Sequence, residues 1–439
     1  MFALHFIRTC ASHAPQDWST SFVFADDWFG AANPTNDLHT PDTGRFAFVA
    51  TLADASEYTE WVNSYGLMRA PWNSDPTPFL TRSGSVYGYH NNMKPSGCDT
   101  YAAAVKKTSW ISLSKVLNAA AHGHIHELMG GSWHHYFQTA NQGASSPAVY
   151  TFAHQIQAMS KMLWRDGYVT CPETCDMTTP ADECQCQANL DKLGTKPSGQ
   201  VLQEVGILSA VEFFDEGFHT LSSEHFLDDE GNYKPVLDGY TELESTHVYN
   251  RLLGMLANPG HLGDMYQATS SNDITFWTIH LTVDRLWHYK RLGNLANYDE
   301  TWDPYHTCYG HNPRDVQPFM NLFGETHAGA YAANVTVSSG NSDKSSSSSS
   351  ADVEGLLPAD RRRLDASEIT GGDGVSGKAP AQKASDSSSL SSTSTANTYY
   401  TNMELYTLLH PMSQKLQYVY DNFNWPHCDQ MGREISNLW

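Results

Sequence analysis

The stretch "HGHIHELMGG" places His122 and His126 four residues apart. In a helix that spacing stands two side chains on one face, one turn apart, so that both imidazoles can reach the same ion. Neutral imidazole is a ligand for zinc, copper, iron or nickel. A second stretch, "SSNDITFWTIHLTVDRLW", carries one histidine, His280, inside an aromatic-rich repeat. Phe276, His280, Asp284 and Trp287 follow one another at steps of three or four, which turns His280 inward with the apolar anchors. Asp284, one turn on, is placed to orient a ring or to pair with Arg285. An inward histidine with a carboxylate behind it is what a metal centre requires. The alternative for an isolated histidine is a core residue that has found a hydrogen-bond partner. The zinc-protease helix is excluded, because no histidine follows three residues after Glu127.

Other residues compete for roles in such a centre. Glu127, beside His126, is either a base or a solvated helix end. His154, in "YTFAHQIQAMSKMLW", reads as a core residue or an additional ligand. His261, in "NPGHLGDM", is an additional ligand candidate whose position four residues earlier is Ala257, which cannot ligate. The pair at His134 and His135, and His288, read as surface or supporting residues.

Helices must position these side chains. From about Tyr101 to Gly131 the spacing of Trp110, Leu113, Val116, Leu117 and Ala120 predicts a helix that stops at Gly130-Gly131. "SSPAVYTFAHQIQAMSKMLWRDG" has proline at its start and glycine at its end, the expected asymmetry of a helix. Further helical segments are predicted near residues 199–215, 241–257 and 270–292. Asp273 stands where a carboxylate caps free N–H groups. Residues 1–100 are rich in Trp, Pro, Asn and Gly and read as loops with short strands. Residues 101–332 form the predicted helical core, with a cysteine-rich insert at 171–186. Residues 333–397, with "SSSSSS" and "SDSSSLSSTSTAN", read as a disordered insertion in which the run of arginines at 361–363 is a solvated charge cluster. Residues 398–439 regain aromatics and are expected to pack back on the core.

Composition narrows the partners. The chain has 439 residues, enough for one large core with extensions or two to three domains. Its formal net charge of −22 repels phosphate backbones and anionic lipid, so neither nucleic acid nor a membrane surface is expected as a partner. No run approaches the length of a membrane-spanning helix. Twenty-one histidines raise the prior for metal binding. Four of the eight cysteines cluster as "CPETCDMTTPADECQC", a spacing that fits disulfides or a small zinc knot. The intervening Pro, Thr and Asp favour disulfides and, with a glycosylation sequon at Asn334, an oxidising compartment or secretion. The first residues show no clear signal peptide, which leaves a truncated start open.

"NDITFWTIHLTVDRLW" closely resembles the second copper signature of the tyrosinase, catechol oxidase and haemocyanin type-3 copper proteins. Asp273, Phe276, Trp277, His280 and Asp284 match, and Ile274 replaces the usual proline. "HGHIHELMGG" resembles the other second-copper element of that family, in which both histidines are ligands. "DWFG", "HTPDTGRFAF" and "YGLMRAPWN" are similar to the segment between its two copper elements. The resemblance implies a mainly α fold in which a four-helix bundle holds the histidines, with long loops and few short strands around it. His122, His126 and His280 would then bind one copper, with Asp284, Phe276 and Trp277 supporting them. Two copper ions would be held if a complete type-3 site forms. The implied activity is oxidation of o-diphenols to quinones with O2, with monophenols left open. The alternative is a non-catalytic member that binds O2 or copper.

The chain departs from the family pattern in three places. No first-copper element precedes "DWFG"; only His5 and His13 are there, in an unrelated context. His126 and His280 are 154 residues apart, far more than usual. Gly123 stands where many tyrosinases carry an asparagine that positions a water, which favours catechol oxidation over hydroxylation of monophenols.

Overall fold

The computed structural model describes residues 18–51, 63, 65–90, 94–134, 147–175, 178–180, 182–214, 220–293, 298–302, 312–320, 399–433 and 435. The Ser-rich segment 333–397, His5, His13, His135, Cys10, Cys308 and Asn334 lie outside them. The described fold is mixed but dominated by helices, with small sheets between them.

The predicted helix over 101–131 is three helices and a π-helical link. α1 is Cys98–Val105, α2 is Trp110–Asn118 and α3 is His124–Met129, with Ala119–Gly123 wound as a π stretch between α2 and α3. The break before α2 is local chemistry: the Ser109 side chain caps it by accepting from the Ser112 N–H. α3 runs directly into strand β3, Gly130–Trp133. The two glycines are required there. A Cβ at Gly131 would overlap the Ser85 carbonyl, and one at Gly130 the Tyr266 backbone.

β3 lies inside a four-stranded sheet. With β1 as Ser83–Val86, β2 as Tyr89–His90 and β4 as His261–Leu262, the order is β2-β1-β3-β4. β1 and β3 are parallel, while β1–β2 and β3–β4 are antiparallel. The short, loop-flanked strands of the first hundred residues therefore hold the end of the histidine helix.

Two long helices wall the next layer. α4, Pro147–Arg165, buries Phe152, Ala153, Ile156, Met159 and Leu163 completely, at the spacing of one helix face. α5, Ser198–Glu204, and α6, Glu242–Ala257, complete this cluster. A capping box between Thr241 and Glu244 starts α6. The helical segment expected up to residue 215 ends early; Phe213–Phe214 pairs instead as a short strand with Thr220–Leu221. α7, Ile274–Leu292, carries His280 and buries Ile279, Leu286 and Tyr289. Its second half packs against α1, α2 and the C-terminal residues Trp425, Cys428 and Ile435.

The expectation of a mainly α fold holds loosely. Among the described residues His122 comes from the α2–α3 link, His126 from α3 and His280 from α7, and α4 and α6 share a hydrophobic cluster with each other. The four clustered cysteines form two nested disulfides, Cys171–Cys186 and Cys175–Cys184, so no zinc knot forms there. A third disulfide, Cys98–Cys428, ties α1 to the short helix Pro426–Gln430 (α8) across 330 residues.

The chain divides into two compact units, and the division splits the predicted C-terminal segment. Residues 422–433 and 435 belong with the helical core, where Phe423 and Trp425 pack beside Tyr289. Residues 399–421 belong with the second unit. There Tyr399–Thr401 pairs antiparallel with Val316–Met320, and the Tyr406 hydroxyl donates to Glu300. No helix of the described residues is long and apolar enough to cross a membrane.

Candidate metal centre

His122, His126 and His280 converge. Each offers one ring nitrogen, and the three lie within 4.8 Å of one another, the only such group of His, Cys, Asp or Glu among the described residues. The Nε2 atoms of His126 and His280 stand 3.4 Å apart. The ring centroids are 5.0 to 5.6 Å apart and the planes nearly perpendicular, which aims edges rather than faces at a common point.

Backbone carbonyls set two of these rings. His122 Nδ1 donates to the Leu117 carbonyl at 2.7 Å, five residues back, and His126 Nδ1 donates to the Met265 carbonyl at 2.6 Å. A proton held on Nδ1 makes Nε2 the atom with the electron pair, so both rings present a donor pair to the centre. The π winding of Ala119–Gly123 carries this geometry, because it brings His122 over the carbonyl of Leu117. The Ser96 hydroxyl also holds this stretch, by donating to the Ala120 carbonyl. His280 is oriented by stacking instead: Phe276, one turn earlier, lies at 3.8 Å between ring centroids.

Burial favours the neutral form of two of the rings. Desolvation pushes His280 down to about 3, with the neighbouring His122 and His126 adding to it, and desolvation also lowers His122 against the opposing hydrogen bonds of the backbone. Unprotonated imidazoles with converging electron pairs repel one another unless a cation lies between them. The group could hold a metal ion.

Two buried arginine–aspartate pairs build the frame. Arg82 is fully buried and grips Asp273 through two bonds, Nε at 2.6 Å and Nη2 at 2.8 Å. The same carboxylate caps α7 by accepting from the Thr275 N–H at 2.8 Å. Arg82 also donates to the carbonyls of Phe29, Gly30 and Ala31. Arg69 grips Asp264 in the same forked manner, 2.9 Å at each contact, and Asp264 accepts in turn from the Thr81 N–H and the Thr269 hydroxyl. Asp264 precedes Met265, whose carbonyl holds His126. One pair thus fixes the start of the His280 helix and the other the loop that orients His126. Beneath the triad, Ile125, Met129, Met265 and Ile279 pack with Val23, Phe24 and Phe29.

The remaining sequence candidates fall elsewhere. His280 itself is half-buried at the flank of α7, whose buried stripe is Thr275, Ile279, Thr282 and Leu286. Trp277 is not a wall of the site: its ring is 52% exposed and its Nε1 donates to Ser271. Asp284 lies nearest His288, at 3.6 Å, rather than a triad ring. His154 is not brought to the triad. It is buried on α4, stacked on Tyr150 and edge-on to Tyr266, with neither ring nitrogen in a hydrogen bond of good geometry, and burial pushes it down to about 4. Glu127 turns to it, 3.9 Å away, and burial pushes this carboxyl up to about 7. His261 lies on β4, beside Trp133 and His134, outside the triad. Arg69 and Arg82 were not singled out as functional residues from sequence. Their signal was an arginine within each of the apolar, proline-rich runs "GLMRAPW" and "PFLTRS", which buried pairing explains.

Comparison with protein-family models, curated proteins and solved structures finds no match to this chain.

Proposed function

We propose that His122, His126 and His280 bind copper and that the protein oxidises o-diphenols to quinones at the expense of O2. The observation that carries the reading is the convergence of three imidazoles, two of them locked by Nδ1–H bonds to carbonyls, with the Nε2 atoms of His126 and His280 3.4 Å apart. A set of three nitrogen donors suits copper and zinc alike. The resemblance of "NDITFWTIHLTVDRLW" and "HGHIHELMGG" to the second-copper elements of type-3 copper proteins favours copper. Bound copper supplies the one-electron steps that pair diphenol oxidation with O2 reduction; two diphenols lose four electrons and four protons for each O2 taken to two waters.

The chain's own residues supply position. Phe276 fixes the His280 ring by stacking on it. Phe276, which is also edge-on to His126 at 6.0 Å, offers an aromatic surface to a phenolic ring beside the triad.

A second reading is a non-catalytic copper- or O2-binding protein. One observation favours it: the described residues hold a single three-histidine group. Anaerobic titration of the full chain with Cu(I), followed by exposure to O2 and catechol, separates the two. Copper uptake that is abolished by His280→Ala, together with quinone formation, supports the enzyme. Uptake without quinone supports the second reading. Zinc taken up in preference to copper, or no uptake, overturns both.

A further inference from the structure

The end of the chain returns to the two elements that carry His122 and His280. Residues 422–433 and 435 form a strap in the same compact unit, and Trp425, Cys428 and Ile435 are buried with side chains of α1, α2 and α7.

One arm of the strap holds α7 little more than a turn beyond His280. The Arg285 guanidinium donates to the Asn422 carbonyl from Nε at 3.1 Å and from Nη2 at 2.7 Å. Nη2 also donates to the Asn422 side chain at 2.8 Å and to the Asn424 carbonyl at 3.3 Å. The same guanidinium lies over the Trp425 ring, 4.6 Å from its centroid. A turn further on, the Tyr289 hydroxyl donates to the Ile435 carbonyl at 2.7 Å.

The other arm is covalent. Cys428 is bonded to Cys98, the first residue of α1. Ser96, two residues before it, donates its hydroxyl to the Ala120 carbonyl inside the π stretch. A π turn interrupts the regular ladder of the helix, so a hydroxyl that takes one of its carbonyls from outside holds the winding in place. That winding lays His122 over the Leu117 carbonyl. Leu117 and Ala121 are buried in one cluster with Cys98, Trp425, Cys428 and Leu286. Cys98 and Cys428 are 330 residues apart, so without the crosslink non-covalent contacts alone would have to offset the entropy of closing that loop. Both cysteines are buried, which makes the bond a structural staple.

We propose that this strap positions the metal centre: through Arg285 it sets α7 and His280, and through the Cys98–Cys428 disulfide and Ser96 it sets the π stretch and His122. α7 is then fixed at its start by Asp273 and Arg82 and along its second half by the strap. The inference rests on the reading of the triad as a metal centre and does not need that metal to be copper.

The test compares full-length Cys98→Ala/Cys428→Ala, Ser96→Ala and Arg285→Ala chains, shown folded by near-ultraviolet circular dichroism, in titrations with Co2+, whose visible bands report its ligands. The disulfide variant and Ser96→Ala should each bind Co2+ about tenfold more weakly, the size of losing a partner that orients a ligand. The bands should also change at saturation, which a loss of stability alone would not cause. Ser96→Ala should cost less in the chain without the disulfide than in the intact one, because both changes open the same arm. Hydrogen exchange without metal should speed up at residues 119–123 in these two variants and at 280–286 in Arg285→Ala, with α4 unchanged. If the disulfide variant does not fold, the two single variants carry the test. Unchanged affinity and exchange, strictly additive effects, or protection lost equally in α4 overturn the proposal. No Co2+ uptake by the unaltered chain removes the metal reading itself, while the exchange experiment still decides whether the strap holds the stretch.

Discussion

Among the described residues three histidines converge as a triad and three others lie at Trp133 without converging, and the two sets are held differently. In the triad, two of the rings give their Nδ1 protons to backbone carbonyls, and all three send edges towards one point. Around Trp133, the rings lie against an indole and against each other, and one donor nitrogen has no partner. Stacking fixes the plane of a ring but not which nitrogen carries the proton. A hydrogen bond to a carbonyl fixes both. The triad is therefore preorganised, whereas the donor atoms around Trp133 do not converge on one point.

The comparison breaks most severely if the frame of the triad is removed. Arg82→Ala strands the buried carboxylate of Asp273 and should cost about 3–5 kcal/mol of stability, measured by urea denaturation. Metal affinity at the triad should fall with it, because the Asp273 cap of α7 loses the arginine that fixes it; a variant of unchanged stability would show that the pair does not hold the helix. Next in size, His280→Ala should weaken binding at the triad by more than about 100-fold, beyond the roughly 10- to 100-fold typical of losing a supporting partner. A loss of less than about tenfold would show that His280 does not ligate the ion.

Smaller and of different kind is the pH dependence of a histidine that belongs to neither group. Burial holds His154 near 4, below its ordinary 6.5, so the unfolded chain takes up this proton first as pH falls. Its contribution to stability is whole above about pH 6.5 and declines from there down to about pH 4, by about 2–3 kcal/mol. His154→Phe should flatten that part of the stability–pH curve, read from denaturation midpoints between pH 7 and 4. An unchanged slope would assign the proton uptake elsewhere. The smallest effect is expected from Phe276→Leu, which removes the ring stacked on His280 and should weaken metal binding up to about tenfold, since an aromatic contact is worth about 0.5–1.5 kcal/mol. A larger loss would show that stacking orients His280 as firmly as the carbonyls orient the other two rings.

The legible part of the site was the part encoded in local spacing. His122 and His126 are four residues apart, and Asp273 caps the helix that carries His280, as the sequence predicts. The illegible part depended on distant chain. The π stretch that brings His122 over Leu117 has no sequence period of its own. Trp277 and Phe276 are adjacent in the sequence, yet one stacks on His280 and the other faces outward, because the buried stripe of α7 runs through Thr275, Ile279, Thr282 and Leu286. The fold behaved alike: α6 and α7 lie near their predicted bounds, whereas the helix expected over 101–131 breaks at the Ser109 cap and the π stretch, and the one expected over 199–215 ends at Glu204.

By itself the sequence determined the kinds of donor present, the helices that carry His280 and His154, and the cysteine-rich loop at 171–186, though not which cysteines pair. These follow from side-chain chemistry and from contacts within a few residues. Tertiary structure alone decided which histidines meet. His126 and His280 are 154 residues apart in the chain, and His261 is nearer to His280 in sequence than either of its ring partners in the triad, yet it lies beside Trp133. The reason is physical: two buried arginine–aspartate pairs with separations of 191 and 195 residues fix the loop behind His126 and the start of α7, and that closure selects the triad.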